Sequence, residues 1–307
     1  MRSPKISILS KSLFTLRGRD FLSISDLDRD ELLAVLDLAD MIKAGTWTER
    51  PLEGRHVAML FQKPSMRTRV SFEVGISRLG GHSVALSEQD VQIGERETVS
   101  DAARVLDRYV DLVVARLRRH QDLLELAAAA RAPVINALTE LEHPCQVLAD
   151  LMTIREHCES LKVPVAFVGD GNNMVTSLAQ AHAILGFPLT VVTPPGYEPA
   201  PAVREAAPDL VVSHDRAAVA GARVIYTDVW TSMGFEVEAK RRRSAFRGYQ
   251  VDADLLRRAP RAIFMHCLPA HRGEEVSVEV IDGPASVVLD QAENRLHAQM
   301  ALLALLA

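Results

Sequence analysis

Short apolar runs alternate with segments of helical period along this chain. The runs are too short to be buried helices and are typical of strands buried on both faces of a sheet. They cover residues 56–61, 83–86, 112–115 and 134–135 in the first half, and 164–168, 189–192, 210–212, 224–226, 262–265 and 287–289 in the second half.

Apolar residues spaced three or four apart predict helices between these runs. The clearest helices are carried by Phe72, Ile76 and Leu79, by Val147, Leu151 and Ile154, and by Leu178, His182 and Leu185. Glycine follows the first and the third of them, as is typical of a helix end. Strand–helix–strand repetition of this kind predicts an α/β fold with parallel sheets flanked by helices.

The strands fall into two groups, which indicates two domains, each built on a parallel β-sheet. We expect the first domain over residues 1–144 and the second over 145–288, with a helix over 145–158 where the second begins. The final segment, 289–307, is predicted to be a helix that packs back on the first domain.

Composition narrows the class of protein. The 307 residues are 48% hydrophobic and 24% charged, and the net charge is −5, which argues against a surface that grips nucleic acid. The four basic residues 240–243 are interpreted as a solvated helix face. No apolar run approaches the roughly 20 residues of a membrane span, and the first residues lack the apolar core of a signal peptide. Three cysteines, far apart, indicate free thiols in the cytoplasm and no zinc motif.

Uncommon polar residues follow the predicted strands. In open α/β sheets ligands bind beyond the carboxyl ends of the strands, so this edge is the expected binding site. The polar segments are 62–69, Arg116, 143–146, 169–173, Asp228 with 232–234, and 266–269.

The segment from Ser65 to Arg69 indicates an anion site. A serine that caps a helix leaves the N–H groups of the first turn available, and Arg67 and Thr68 add donors suited to phosphate. An ordinary N-cap followed by surface arginines is an equally good interpretation of this segment alone. Arg116 would supply a second cation, although a surface position is the usual one for such a residue.

Two later segments offer groups for a carbonyl and an amine. His143 and Gln146 could donate to a carbonyl oxygen and an amide, while a loop or capping histidine is the alternative. Residues 169–173 lack the dinucleotide fingerprint, so an asparagine there is interpreted as a ligand of a carboxylate or an amine. Asp228 could accept from an ammonium group or simply cap a turn.

Cys267 stands beside His266, but adjacent residues rarely point the same way. A cysteine that contacts substrate is therefore favoured over a nucleophile, with an inert buried thiol as the alternative.

Several blocks together resemble the aspartate/ornithine carbamoyltransferase family, and its ornithine branch in particular. The resemblance runs from about Phe21 to Leu303. S-x-R-T-R with HPCQ marks the whole family, whereas D-x-W-x-S-M-G and HCLP mark the ornithine branch. The blocks are FQKPSMRTRVSFE, DVQIGERETVSDAARVLDRYVD, HPCQVLADLMTI, GDGNN, TDVWTSMG, FMHCLPAHRGEEV and DQAENRLH.

The resemblance implies carbamoyl transfer from carbamoyl phosphate to the δ-amine of L-ornithine, giving L-citrulline and phosphate in arginine biosynthesis. It implies a homotrimer or a multiple of one, with no cofactor, no metal, no nucleic acid and no membrane partner. The first domain would bind carbamoyl phosphate and the second ornithine. The implied carbamoyl phosphate ligands are Ser65, Met66, Arg67, Thr68, Gln92, Arg116, His143, Gln146, Cys267, Leu268 and Arg295. The implied ornithine ligands are Asn173, Asp228, Ser232 and Met233.

The implied catalytic residues are Arg116, His143, Asp228 and Cys267. His143 would polarise the carbamoyl oxygen, and Arg116 and Thr68 would help it to stabilise the tetrahedral intermediate. Asp228 and Cys267 would position the amine and favour its neutral form without a covalent step. Gln92 would reach the carbamoyl phosphate of a neighbouring subunit.

Some features depart from the family pattern or separate its branches. Arg96 stands in the Gln92 loop where a small residue is common, and no lysine lies between Gln89 and Asp101, which argues against aspartate as substrate. The alternatives are a sister enzyme that uses putrescine or an N-acylated ornithine, a non-catalytic regulatory relative, and a nucleotide-binding oxidoreductase. The intact Arg67, His143 and Cys267 count against the regulatory relative.

Overall fold

The computed structural model describes residues 15–91, 97–231 and 236–307. The chain divides into two compact units. Unit 1 comprises residues 1–152 together with 293–307, and unit 2 comprises residues 153–292. Each boundary between the units lies within a helix, the first in Pro144–Cys158 and the second in Val288–Leu306.

Unit 1 is built on a parallel sheet whose strands were expected from their apolar runs. Its order is β2-β1-β3-β4, with β1 His56–Phe61, β2 His82–Ser87, β3 Leu112–Arg116 and β4 Val134–Leu138. Strands β1 and β3 in the middle are almost wholly buried, which is why residues 57–61 and 112–115 are continuously apolar. The unit contains a short 3-10 helix, Ile24–Asp26, and the helices α1 Arg29–Lys43, α2 Met66–Arg78, α3 Glu88–Val91, α4 Val99–Leu106, α5 His120–Ala129 and α6 Pro144–Cys158.

Unit 2 repeats the design with another parallel sheet. Its order is β7-β6-β5-β8-β9, with β5 Val165–Val168, β6 Leu189–Val192, β7 Val211–Ser213, β8 Val224–Thr227 and β9 Ile263–His266. Its helices are α7 Asn173–Leu185, α8 Pro201–Ala206, α9 Ala239–Ala245, α10 Ala253–Leu256 and α11 Val278–Ile281, and two 3-10 helices span Arg216–Val219 and Glu236–Glu238. The predicted α/β class with two parallel sheets is confirmed.

The last helix, α12 Val288–Leu306, returns to unit 1 as predicted. Gly75 of α2 makes room for it, since a Cβ there would stand 3.0 Å from the Met300 side chain. The Gly18 N–H also donates to the Leu306 carbonyl at 2.9 Å. Close helix packing of this kind places the polar residues of α12 inside unit 1.

The strand predicted over 287–289 is wrong. Only an isolated bridge joins Ser286 to Phe264, and α12 begins at Val288. Val287 precedes this helix, and Val288 and Leu289 belong to its first turn. An apolar run as short as this one cannot distinguish a helix from a strand. In the described part of the chain, no helix is both long enough and apolar enough to cross a membrane.

Candidate active site

The N-terminus of α2 is a capped helix start, as its sequence suggested. Ser65 is the N-cap, and its Oγ accepts the Thr68 N–H at 3.3 Å and lies 3.0 Å from Thr68 Oγ1. Arg67 is half-buried, and its guanidinium has no hydrogen-bond or ion-pair partner within the described residues. The N–H groups of the first helical turn, together with the Arg67 guanidinium, can therefore bind an anion.

A chain of hydrogen bonds ties this helix start to α6 and α12. Arg295, 3% exposed, donates from Nη2 to Thr68 Oγ1 at 3.0 Å and from Nη1 to Gln146 Oε1. The Gln146 amide donates in turn to Asp150 Oδ1 at 2.8 Å. The orientation of the Gln146 amide is therefore fixed, with its oxygen toward Arg295 and its nitrogen toward Asp150.

Arg116 and His143 contribute to the same part of unit 1. Arg116 is the last residue of β3 and lies beside Phe61, the last residue of β1, while His143 precedes α6. Both side chains are buried. Burial, with the positive charges of Arg295 and Arg116, lowers the pKa of His143 well below its usual 6.5. The imidazole is neutral at pH 7, so it can donate one N–H while Arg116 and Arg295 supply positive charge.

Unit 2 brings Asp228 and Cys267 together at the ends of two paired strands. Thr227 of β8 lies opposite His266 of β9, so the residues that follow them are neighbours. Cys267 Sγ donates to Asp228 Oδ1 at 3.0 Å, and the Val229 N–H donates to the same oxygen at 2.8 Å. Asp228 is 8% exposed, so this carboxylate depends on its donors rather than on water.

Asn172, which was not among the predicted site residues, supplies a further donor to Asp228. It caps α7, and its Nδ2 donates to Asp228 Oδ2 at 2.9 Å. Asn173, the predicted ligand, is the first residue of α7 and is partly exposed. Gly171 lets this loop approach the next one, because a Cβ there would stand 2.3 Å from the Pro199 nitrogen. An asparagine directly before a helix was the available sign of a cap.

The basic run 240–243 is not simply a solvated face. Arg242 is 8% exposed and donates to Asp170 Oδ2 at 2.6 Å and to the Trp230 carbonyl at 3.2 Å. Burial raises the pKa of Asp170, which Arg242 opposes. The prediction of a solvated helix face is wrong for Arg242. Its partners Trp230 and Asp170 lie 12 and 72 positions away, so the basic run alone does not reveal them.

Other predicted residues are exposed, or lie outside the described part of the chain. Met66 is 73% exposed at the start of α2, and Leu268 is half-buried after β9. Gln92 and Arg96, and likewise Ser232 and Met233, lie outside the described residues.

Two groups of side chains have the donor types that metal ions take. Asp228, His266 and Cys267 have candidate ligand atoms within 4.8 Å of one another, as do His271, Glu274 and Glu275. Both nitrogens of His266 already have protein partners, because Nδ1 accepts the Leu268 N–H and Nε2 lies 3.1 Å from Glu275 Oε1. The first group therefore has no imidazole nitrogen available to a metal ion in this arrangement.

Two family models match the chain in succession. Residues 19–156 match the carbamoyl-P binding domain of aspartate/ornithine carbamoyltransferase, and residues 161–306 match its Asp/Orn binding domain. Together the two matches span almost all of the chain.

Similar proteins agree with these matches. An ornithine carbamoyltransferase of Symbiobacterium thermophilum is 52% identical over 95% of this chain and 99% of its own length. An anabolic ornithine carbamoyltransferase of Pyrococcus furiosus is also 52% identical, over 95% of this chain and 97% of its own.

Solved structures give the same result. An ornithine carbamoyltransferase from Pyrococcus furiosus superimposes with a TM-score of 0.91 at 51% identity and covers 95% of this chain and 97% of its own. The Thermus thermophilus enzyme gives a TM-score of 0.87 at 44% identity, with 94% of this chain and 99% of its own covered. The resemblance in the sequence blocks is confirmed, and the chain belongs to the aspartate/ornithine carbamoyltransferase family.

Proposed function

We propose that this chain transfers the carbamoyl group of carbamoyl phosphate to the δ-amine of L-ornithine, giving L-citrulline and phosphate in arginine biosynthesis. Relatives that bear the name ornithine carbamoyltransferase are 52% identical over 95% of the chain, and the one from Pyrococcus furiosus is called anabolic. The observation that carries the proposal is the buried His143 side chain, whose pKa is lowered by burial and by the positive charges of Arg295 and Arg116. A neutral donor beside two cations suits a reaction in which a carbonyl oxygen gains negative charge.

Unit 1 is proposed to bind carbamoyl phosphate. The phosphate would accept from the first N–H groups of α2 and from the Arg67 guanidinium, with Arg116 close to the leaving oxygen. His143 would donate to the carbamoyl oxygen, and Gln146, held by Arg295 and Asp150, would face the carbamoyl amide. Burial of Arg116, His143 and Gln146 supports the assignment, because donors fixed in a site shielded from water need little rearrangement when charge develops.

Unit 2 is proposed to bind ornithine through Asp228 and Cys267, with Asn173 and the predicted Ser232 and Met233. A bare carboxylate would hold the amine as an unreactive ammonium ion. Here the Asp228 carboxylate already accepts from Cys267, Val229 and Asn172, which spreads its charge. This weakens its preference for an ammonium and leaves it able to orient a neutral amine.

The proposed reaction has no covalent enzyme intermediate. The δ-nitrogen lone pair attacks the carbamoyl carbon and forms a C–N bond. The carbonyl oxygen becomes negative and is stabilised by His143, Arg116 and Thr68. When the C–O bond to phosphate breaks, the oxygen re-forms its double bond, and the proton lost by the nitrogen ends on phosphate or solvent.

Product analysis with several amines tests the function. The purified protein is given carbamoyl phosphate with ornithine, N-acetylornithine, putrescine or aspartate, and the ureido product is followed. Turnover is expected with ornithine alone. Asp228→Asn, which keeps the size but removes the charge, should lower that turnover while carbamoyl phosphate still binds, and Asp254→Asn at an exposed ion pair is the matched control. Turnover with a different amine would contradict the ornithine assignment.

We also propose a homotrimer. Met66, Val70 and Val74 form a stripe on α2 at helical spacing and are 73%, 51% and 37% exposed. Val84 on β2, an edge strand, is 40% exposed. A second copy of the chain is the proposed occupant, because the stripe begins at the phosphate site, to which a neighbour's Gln92 would contribute.

Light scattering tests the assembly. The wild-type mass should be three times 33.7 kDa, or a multiple of that. Val70→Asp should shift it toward the monomer, whereas Val105→Asp, at a residue 49% exposed on α4, should not. A monomeric wild type would contradict the proposal.

The three free thiols support the cytoplasm as the place of action.

A further inference from the structure

The loop that follows β9 is held by a buried pair of side chains. His266 and Glu275 have side chains that are 0% exposed, and His266 Nε2 lies 3.1 Å from Glu275 Oε1. The same carboxylate oxygen accepts the His271 N–H at 2.5 Å. Both ends of the loop are therefore tied to one oxygen atom.

The other side of the imidazole holds the backbone next to Cys267. His266 Nδ1 lies 2.9 Å from the Leu268 nitrogen, which can only donate, so Nδ1 carries the lone pair and Nε2 the proton. Leu268 has a φ of +58°, a conformation that leucine rarely adopts. The bond from Leu268 to His266 helps to stabilise this conformation, and it exists only in the tautomer that Glu275 selects.

The geometry points to Glu275 as a positioning residue that sets the place of the Cys267 thiol against Asp228. Glu275 fixes the His266 tautomer, His266 fixes Leu268, and Leu268 adjoins Cys267, whose Sγ lies 3.0 Å from Asp228 Oδ1. The second carboxylate oxygen, Oε2, is buried and has no hydrogen-bond partner within the described residues. A buried carboxylate satisfied on one side only is a poor choice for stability alone, and orienting His266 explains it.

The first test measures the Cys267 thiol directly and does not depend on the proposed function. Iodoacetamide labelling is followed by mass spectrometry in the wild type, Glu275→Leu and Glu275→Gln. Leucine removes the acceptor, and labelling of Cys267 should become about tenfold faster. Glutamine keeps an acceptor oxygen, and labelling should stay within about twofold of the wild-type rate. Cys145 and Cys158 are buried and serve as internal references.

The second test rests on the proposed function. Glu275→Leu should raise the KM for ornithine about tenfold and leave the KM for carbamoyl phosphate unchanged, whereas Glu275→Gln should leave both unchanged. Leu255→Ala removes a buried side chain from the core of unit 2 and controls for lost stability. It should lower the melting temperature without changing the KM for ornithine.

A second pair of variants, at His266, tests the same inference if Glu275→Leu does not fold. His266→Asn keeps a polar acceptor near Nδ1 and should label like the wild type, whereas His266→Gln places its amide near Nε2 and should label faster. The inference is overturned if Cys267 is labelled at the wild-type rate in Glu275→Leu. It is also overturned if the labelling rates of Glu275→Leu and Glu275→Gln are equal, or if those of His266→Asn and His266→Gln are equal. Altered labelling without carbamoyl transfer in the wild type would contradict the proposed function alone.

Discussion

The Arg295 guanidinium donates to the Thr68 hydroxyl at 3.0 Å, although 227 positions separate the two residues. The same guanidinium donates to Gln146, so α2, α6 and α12 meet at one side chain. Unit 1 thus organises its polar cluster around a residue that the chain supplies last.

Replacement of Arg295 by methionine should raise the Kd for carbamoyl phosphate about 10- to 100-fold. Thr68 and Gln146 each lose a hydrogen bond to a charged donor, and the site loses a positive charge. Calorimetric titration measures the affinity. Arg131→Met is the control, since its side chain is 75% exposed and pairs with Asp107 at the surface. Equal affinities of Arg295→Met and the wild type would remove Arg295 from the site.

Arg67→Ala should abolish measurable binding of carbamoyl phosphate and leave the fold intact. The guanidinium has no partner to lose within the described residues, so its removal should leave the melting temperature unchanged. Circular dichroism and titration calorimetry separate the two effects. Arg78→Ala, exposed at the other end of α2, should bind normally. A wild-type Kd in Arg67→Ala would show that the phosphate binds elsewhere.

Cys267→Ser should keep measurable turnover. The serine hydroxyl can still donate to Asp228 Oδ1, and the proposed chemistry forms no bond to sulfur. Cys267→Ala lacks that donor and should be slower than Cys267→Ser. Steady-state assays with ornithine give the comparison. Complete loss of turnover in a folded Cys267→Ser protein that binds both substrates would indicate a covalent role for the thiol.

The stability of the protein should fall as the pH drops below about 6.5, in part because of His143. Burial, Arg295 and Arg116 lower the pKa of His143 in the folded state, while the unfolded chain titrates near 6.5. Below that pH the unfolded state takes up a proton that the folded state refuses, so unfolding becomes easier until the folded ring also titrates.

Denaturant titrations at several pH values, on the wild type and His143→Gln, isolate this contribution. The variant should lose less stability between pH 7 and 5.5 than the wild type. The comparison is needed because burial also lowers the pKa of His120 and His297. Identical pH profiles for the two proteins would mean that His143 is not buried as a neutral ring.

The strands were predictable because parallel strands covered on both faces must be largely apolar, as residues 57–61 and 224–226 are. The same rule failed at 287–289, where Val288 and Leu289 begin a helix. Periodicity needs several turns to identify a helix, and three residues contain less than one turn.

The sequence also revealed the polar residues at the strand ends, but not their partners. Asp228 and Cys267 were expected to act on one amine, and register between β8 and β9 makes them neighbours. Asn172, Asp150 and Glu275 act through contacts that only the folded chain creates. Arg242 was misjudged for the same reason, because a run of basic residues does not reveal which one turns inward.

Unit 1 is discontinuous in the chain, since residues 293–307 join it after the whole of unit 2. Unit 2 is a single stretch, so the ribosome has synthesised all of it before the last residues of unit 1 follow. The first part of unit 1 is synthesised before unit 2, but the hydrogen bond from Arg295 to Thr68 can form only after Arg295 in α12 has been synthesised. The nascent chain therefore starts unit 1 before unit 2 but completes unit 1 only after all of unit 2 has been synthesised.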